Sequence, residues 1–490
     1  MSRFGEWVKT KMRNWLEIIP ASDLTVVLQE KFTRETEVLR SQLWYRGDSD
    51  ELWQFFHQLG INNGGFWSSV PAGSKVRKIH SGLPATIADT LAYIVSADLD
   101  TIDVQSDNWE EIEKAVDFRN IVKKAIVDTL VCGDGAFKIS VDENISEYPI
   151  VEFISGESVD FESKHGIIDT VVFKNNYAVK SKRFELRESY GKGFIESRLY
   201  DSNGNEYSLD TISELTGIKP HFPSDDEPEF DFMFAVPLKF YESKKYKCRG
   251  KSIFDGGKSD CFDALDEVVS QWLNALRDGR VQKYIPESLL PRNPENGSIA
   301  RLNSFGTEFI AIGTALGDGD GGNEIEVVQP DIKYEAFVSS YTNALLMCLQ
   351  GLVSPATLGI DVGKMSSAEA QREKKDVTGN TRNTITTALE KALPRLVEAI
   401  LKTYDLMQGR KPGEYEATVS FGEYGAPDFD SRVDTIGKAS SYGIMSVETQ
   451  IDELWGSSKD DEWKAAEVAR LKSEKELSAS DTAVGDELDI

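Results

Sequence analysis

Residues 259–278 have the sequence SDCFDALDEVVSQWLNALRD, with apolar side chains at the three- and four-residue spacing of one helix face. The apolar stripe consists of Phe262, Leu265, Val268, Val269, Trp272, Leu273 and Leu276. The polar stripe consists of Asp260, Asp263, Glu267, Gln271 and Asn274. Its acids concentrate in the first half of the stretch, where they interact favourably with the helix dipole. The stretch therefore predicts a long amphipathic helix with one face that must be covered.

A second amphipathic helix is predicted downstream, over residues 333–351. Its apolar side carries Tyr334, Phe337, Val338, Tyr341, Leu345, Cys348 and Leu349. Its other side is polar and almost uncharged, with Ser339, Ser340, Asn343 and Gln350. Between the two helices, Pro and Gly breakers separate three short β-type runs, Val281–Ile285, Phe309–Ile312 and Ile325–Val328. The pattern predicts a small β module inserted between two helices of similar length.

The part of the chain before this helix pair divides into a helical region and a β-rich region. Helical patterns cover residues 28–60, 84–97 and 121–132. Residues 136–240 then carry short β-type runs separated by turn residues, and this predicts an antiparallel β-rich region because no helices intervene. A basic segment follows, and we expect it to pair with acidic neighbours; its members are Lys244, Lys245, Lys247, Arg249 and Lys251.

After the second helix, residues 352–365 form a breaker-rich loop, LVSPATLGIDVGKM. Ser366 and Glu369 form a capping box that opens a helix running to about Met407, with a kink expected at Pro394. A strand over 415–421 and helices over 429–441, 446–455 and 459–477 follow, and residues 478–490 are predicted to be disordered because they are small and acidic.

The composition excludes several classes of protein. The 490 residues include 82 acidic and 55 basic side chains, a net charge of −27, so the chain is not a protein that wraps nucleic acid, and an anionic membrane is not its main partner. The four cysteines have no CxxC spacing and predict neither a zinc ribbon nor a disulfide framework. No run reaches the roughly 18 apolar residues of a membrane span, and residues 1–20 lack the pattern of a secretory signal.

Residues 1–25 contain an amphipathic helix pattern of their own. Apolar side chains alternate there with Lys9, Lys11 and Arg13. The pattern fits a helix that docks on its own protein or on a neighbour, and it also fits a basic helix at a membrane surface.

The sequence contains no complete catalytic or metal-binding motif, although two stretches match one in part. Gly257-Lys258-Ser259 resembles the end of a phosphate loop, but position 252 is Ser where the motif requires Gly. Asp318-Gly319-Asp320-Gly321-Gly322 lacks the later ligands of a Ca²⁺ loop. The four histidines lack ligand spacing. We therefore expect no metal, no cofactor and no catalytic residues, with a metal-dependent hydrolase using some of the carboxylates as the alternative.

The order of these elements resembles that of the portal proteins of long-tailed bacteriophages. Three stretches agree locally: Leu43-Trp44-Tyr45-Arg46-Gly47-Asp48 followed by Phe66-Trp67, then Arg77-Lys78-Ile79-His80-Ser81-Gly82-Leu83-Pro84, then Val353-Ser354-Pro355-Ala356-Thr357-Leu358-Gly359 followed by Ser366-Ser367-Ala368-Glu369-Ala370. The resemblance covers residues from about 40 to 475 and implies an α+β subunit with an elongated, portal-type anatomy.

That anatomy assigns a part to each segment. It implies an N-terminal helix over 1–25, a wing over 26–258, stem helices over 259–280 and 332–352, a small α/β clip over 281–331, a tunnel loop over 353–366, a long kinked wing helix and strand over 367–423, and a helical crown with an acidic tail over 424–490.

The resemblance also implies function. Such proteins form a ring, usually of twelve subunits, at one capsid vertex of the virion after assembly in the bacterial cytoplasm. Double-stranded DNA passes through the ring, and terminase, head-to-tail adaptors, the major capsid protein and the scaffolding protein are partners. A scaffold or adaptor from another assembly is the remaining alternative.

Candidate site residues follow from the same mapping. Those of the tunnel loop are Ser354, Pro355, Thr357, Gly359, Asp361, Gly363, Lys364 and Ser366. Those that line the stem or contact a neighbouring subunit are Asp263, Glu267, Trp272, Asn274, Ser339 and Asn343. Lys364 is either a weak DNA contact or a solvated loop lysine. Deletion of residues 354–364 is expected to leave the subunit folded and to impair packaging.

Overall fold

The computed structural model describes residues 32–58, 65–69, 77–142, 144–179, 182–223, 230–279, 282–286, 309–312, 326–328, 331–360, 368–422, 429–456 and 460–485. Two compact units divide the chain, Met1–Phe421 and Gly422–Ile490. Helices and strands are mixed in the first unit, which confirms the predicted α+β class. The helix predicted within residues 1–25 lies outside the described residues.

Among the described residues, five helices and one short strand precede the main sheets. They are α1 Arg34–Arg46, α2 Ser49–Gln58, α3 Leu83–Ala97, β1 Asp103–Val104, α4 Trp109–Ala115 and α5 Phe118–Cys132. The helical stretch predicted over 28–60 is two helices. Gly47 ends α1 at φ +71°, a left-handed conformation that side chains disfavour, and the Asp48 carboxylate accepts the N–H groups of Asp50 and Glu51 in the first turn of α2.

The β-rich region is antiparallel, as predicted. Its strands are β2 Asp134–Ser140, β3 Ile150–Ser155, β4 Val159–Lys164, β5 Ile167–Val179, β6 Lys182–Gly191, β7 Phe194–Asp201, β8 Glu206–Tyr207, β9 His221–Phe222 and β10 Ala235–Lys239. One sheet has the order β10-β2-β3, and the other has the order β4-β5-β6-β7-β8 with β9 paired to β7. β10 lies at an edge of the smaller sheet.

The helix pair with its inserted β module is also confirmed. The elements are α6 Lys258–Asp278, β11 Gln282–Pro286, β12 Phe309–Ile312, β13 Glu326–Val328 and α7 Tyr334–Leu349. β11 is the central strand, parallel to β12 and antiparallel to β13. The helical part expected for the clip falls outside the described residues.

A 3₁₀ turn at Pro355–Leu358 leads to the long helix α8 Ala368–Met407, which continues through Pro394. Beyond it, β14 Ala417–Thr418 pairs with β1. The second unit contains α9 Phe429–Ser441, α10 Val447–Trp455 and α11 Asp461–Gly485. The disorder predicted from residue 478 is wrong as far as Gly485, and the helix extends there because no Gly or Pro interrupts residues 478–484.

One large apolar core organises the first unit, and α8 supplies its centre. Ile385, Leu389, Leu393, Leu396 and Val397 of α8 have no exposed surface. The two helices of the pair contribute to this core at one end only, through Phe262 and Leu265 of α6 and through Leu345, Cys348 and Leu349 of α7. The rest of the pair is therefore available for other contacts.

Candidate functional site

The distal halves of α6 and α7 carry a band of uncovered apolar side chains. The band, which we call the apolar band, consists of Trp272, Leu273, Leu276, Tyr334, Val338 and Tyr341. Tyr334 is 64% exposed and Val338 is 53% exposed. Gly279 brings the two ends together, since a Cβ atom there would lie 2.5 Å from Cδ1 of Ile332. Exposed apolar side chains that are grouped on two neighbouring helices point to an interaction site.

At the opposite end of the pair, Lys258 of α6 binds the C-terminal end of α7. Its Nζ atom donates to the carbonyl oxygens of Met347 (2.8 Å), Cys348 (3.1 Å) and Gln350 (2.7 Å). The last carbonyl groups of a helix have no partner within the helix, and a cation there also complements the dipole. Burial lowers the pKa of Lys258. The lysine that resembled part of a phosphate loop therefore caps the C-terminal end of α7.

The polar stripe of α6 binds the segments before α3. The Asp263 carboxylate accepts the N–H groups of Phe66 (2.6 Å) and Trp67 (2.9 Å). Burial raises the pKa of Asp263. The prediction placed Asp263 on a channel lining or a subunit contact, and this assignment is corrected, because both oxygens of the carboxylate are used inside the chain.

Two further residues of this stripe were missed by sequence reasoning. Asp266 is fully buried, accepts the Ser81 N–H at 2.8 Å and lies 2.7 Å from Nδ1 of His80. The Ser270 hydroxyl oxygen accepts the N–H of Ile79 at 3.0 Å. Their three- and four-residue spacing from Asp263 was the available signal, since positions 263, 266 and 270 share one side of the helix.

The other residues that were predicted to line the stem or contact a neighbouring subunit differ in their surroundings. Glu267 accepts from Nε2 of Gln271 at 2.7 Å, one turn along the same helix. Trp272 belongs to the apolar band, and Asn274 is half-buried. Ser339 and Asn343 are exposed on α7, so both are available to a ligand or a neighbouring subunit.

The structure describes the first part of the predicted tunnel loop, residues 353–360, and this part is anchored on α8. Ser354 is 3% exposed, its N–H donates to Oγ1 of Thr378 at 2.9 Å, and its hydroxyl oxygen accepts the N–H of Thr357. Pro355 is also buried, and Gly359 is exposed. The other candidates, Asp361, Gly363, Lys364 and Ser366, lie outside the described residues, as does the capping box at Ser366. Ser354 and Pro355 are therefore anchors of the loop on α8.

This anchoring corrects one expectation about the loop. Deletion of residues 354–364 would remove the buried Ser354 and Pro355, so we now expect it to destabilise the fold. A deletion confined to residues 361–366 is the appropriate experiment.

Two members of the basic segment after β10, Lys245 and Arg249, are paired with acids as predicted. Nζ of Lys245 lies 2.8 Å from Oε1 of Glu37. The Arg249 guanidinium lies 2.9 Å from the buried carboxylate of Asp134, which also binds Arg34 at 2.8 Å. These ion pairs join the segment to α1 and β2, and Arg249 is buried.

Within the described residues, no group of three or more His, Cys, Asp or Glu side chains is arranged to hold a metal ion. In the same part of the chain, no helix is both long enough and apolar enough to cross a membrane.

Comparison with known proteins identifies the family. Residues 44–481 match the profile described as phage portal protein, SPP1 Gp6-like. The match spans most of the chain, and the chain belongs to this family of phage portal proteins. The family is structural and non-enzymatic, which confirms the expectation that the chain is not an enzyme.

Matches among solved structures include the necks of gene transfer agent particles. The neck of the native particle, computed with C12 symmetry, has a TM-score of 0.38 and 13% identity, and the match covers 82% of this chain and 93% of that one. The neck of the empty particle, computed with C6 symmetry, has a TM-score of 0.37 and 13% identity, with 79% and 94% covered. No curated protein matches the chain.

Proposed function

We propose that the chain is the subunit of a portal ring at one capsid vertex, through which double-stranded DNA enters during packaging and leaves at infection. In this ring, α6 and α7 form the stem, residues 281–331 form the clip that docks adaptor proteins, and residues 424–490 form the crown. A separate terminase supplies the energy for packaging. Membership of the phage portal protein family supports this assignment.

The apolar band is the observation that carries the proposal. Its six large side chains lie on two helices, and the part of the chain that the structure describes leaves them between 36% and 64% exposed. A closed ring requires each subunit to bury such a surface against its neighbour. The capping of α7 by Lys258 supports the same role, since it holds the two helices in one arrangement.

The charge of the chain fits a conduit through which DNA slides. A net charge of −27 opposes tight binding of phosphates, and strong phosphate contacts would slow movement. Ser339 and Asn343 offer polar, uncharged surface on α7. We therefore assign the channel-facing side to this part of α7, with Lys364 as a local DNA contact.

Ring formation is the first test. The purified chain is examined by light scattering after size exclusion and by negative-stain microscopy, and we expect rings with a central hole containing about twelve subunits. The double variant Trp272→Asp/Val338→Asp should give folded monomers, because charges in the apolar band oppose burial.

Tyr93→Asp is the matched control, because Tyr93 is 64% exposed on α3, outside the apolar band. It should form rings as the natural chain does. Monomers of the natural chain at every concentration and salt would reject the proposal. The conduit role is tested separately by in vitro packaging with rings of Lys364→Ala, which should form normally and package DNA at an altered rate.

A further inference from the structure

An open groove runs along the edge strand β10, between this strand and α8. Two adjoining cavities of about 440 Å³ and 690 Å³ form it, and they share Val236, Pro237, Leu238, Lys239 and Arg395. We call this continuous depression the β10 groove. Both of its walls belong to the first unit of the chain.

The strand side of the groove is a free edge. The N–H of Ile139 donates to the carbonyl of Phe234 at 2.8 Å, so Phe234 and every second residue after it direct their backbone groups toward β2. Ala235, Pro237 and Lys239 therefore direct theirs away from the sheet. Pro237 has no N–H to leave unpaired, which is why proline is tolerated at an edge.

The helix side of the groove is cationic. Lys391 and Arg395 are exposed and lie one helical turn apart on α8, and neither has an ion pair or hydrogen bond within the residues that the structure describes. Lys402 lies two turns beyond Arg395, with its Nζ atom 5.9 Å from the centre of the Phe232 ring. Two acids line the groove: Glu242 is engaged by Lys239 at 3.1 Å, and Glu398 is half-buried on α8, one helical turn from Arg395 and from Lys402. Lys391 and Arg395 therefore offer positive charge to an anionic partner, although the chain as a whole has a net charge of −27.

The remaining wall is apolar. Phe161, Ile167, Ile168, Phe232 and Met233 line it, at the β4–β5 hairpin and just before β10. Ile167 is 74% exposed. A cationic wall facing an apolar wall matches a ligand with carboxylates on one side and apolar groups on the other.

We propose that the β10 groove binds an extended acidic segment of a partner protein, with its carboxylates on Lys391 and Arg395 and its apolar side chains on Ile167 and Met233. A polypeptide fits better than a nucleic acid, since the apolar wall offers phosphates nothing and the net charge repels a long polyanion. This inference does not depend on ring formation.

The test uses a fluorescein-labelled 12-residue peptide of alternating glutamate and valine, titrated with the full chain at low salt by fluorescence anisotropy. We expect saturable binding that weakens with added salt. The double variant Lys391→Glu/Arg395→Glu should bind about tenfold or more weakly, because it reverses the charge on one wall. Ile167→Ser should also weaken binding, and this exposed position can change without disturbing the core.

Controls separate this groove from general electrostatics. Lys182→Glu/Arg183→Glu makes the same charge change at exposed positions of β6 and should leave the affinity unchanged. A peptide with glutamine in place of glutamate should lose most of its affinity. The proposal is overturned if the natural chain does not bind the peptide, if both double variants weaken binding equally, or if a duplex DNA of similar charge binds in preference to the peptide.

Discussion

The Nζ atom of Lys258 lies 2.7 Å from the carbonyl oxygen of Gln350, so the first residue of α6 closes the end of α7, although 92 positions separate the two residues in sequence. This contact fixes one end of the helix pair, and the apolar band lies at the other end. The Lys258 contacts add to the apolar packing of Phe262, Leu345 and Leu349 at this end of the pair.

Replacement of Lys258 by methionine should lower the free energy of unfolding of the first unit by about 1–3 kcal/mol, because three carbonyl groups lose a charged donor. Urea denaturation followed by tryptophan fluorescence measures the change. Lys333→Met, at an exposed position before α7, should be near neutral. Equal effects of the two substitutions would show that the capping contacts contribute nothing.

Replacement of Asp266 by asparagine should destabilise the first unit by about 2–4 kcal/mol, since the buried carboxylate accepts from Trp67 and Ser81 and faces His80. An amide has only one acceptor oxygen and introduces donors that lack partners there. Glu267→Gln is the neighbouring control and should cost little, since Glu267 bonds only to Gln271 on its own helix. Chemical denaturation of both variants decides the matter.

Replacement of Thr378 by valine should leave the Ser354 N–H without a partner and lower the free energy of unfolding by about 1–3 kcal/mol. The loop that follows should also become easier to cleave by proteases. Thr387→Val, at an exposed position further along α8, is the control and should change neither property. Identical proteolysis of both variants would argue against the anchoring role of Thr378.

The contact between Glu448 and Lys472 joins α10 to α11 and should make the second unit sensitive to acid. The hydrogen bond from Lys472 lowers the pKa of Glu448 from 4.5 to about 2. A carboxyl with a depressed folded pKa contributes stability above its unfolded value, and that stability is lost as the pH falls through 4.5 toward 2. Glu448→Gln should therefore differ from the natural chain at pH 7 and converge with it at low pH.

Thermal unfolding of the full chain, followed at pH 7, 5, 4 and 3, measures this difference. Lys472→Gln should show the same pH profile, and the double variant should lose no more than either single variant. A difference that stays constant from pH 7 to pH 3 would contradict the assignment.

Local periodicity was sufficient to predict most elements of the fold. Apolar spacing placed α6 and α7 within one or two residues of their observed ends, and alternating runs located the strands of the inserted module. Errors of extent occurred at Gly47 and beyond residue 477, where a helix end was misplaced, and at 415–421, where the observed strand is only Ala417–Thr418. Helix ends depend on single residues and their caps, which a periodic pattern averages out.

The site was predicted less well, because the partners of its polar side chains are remote in sequence. Asp263 looked like a solvent-facing acid on an amphipathic helix, yet the N–H groups that it binds lie 196 and 197 positions away. Lys258 resembled the lysine of a phosphate loop, yet the carbonyl oxygens that it binds lie 89 to 92 positions away. A helical wheel distinguishes polar from apolar faces, and it does not show whether a polar face meets water or another segment.

The sequence by itself determined the order of helices and strands, the insertion of a β module between two helices, and the membership of the phage portal protein family, since periodicity and breakers act over a few residues. Only the tertiary structure decided that Asp263 and Asp266 face inward, that Lys258 caps α7, that Ser354 is anchored to α8, and that six apolar side chains stay uncovered. Burial and hydrogen bonding depend on which distant segments meet, and only the packed core around α8 brings those segments together.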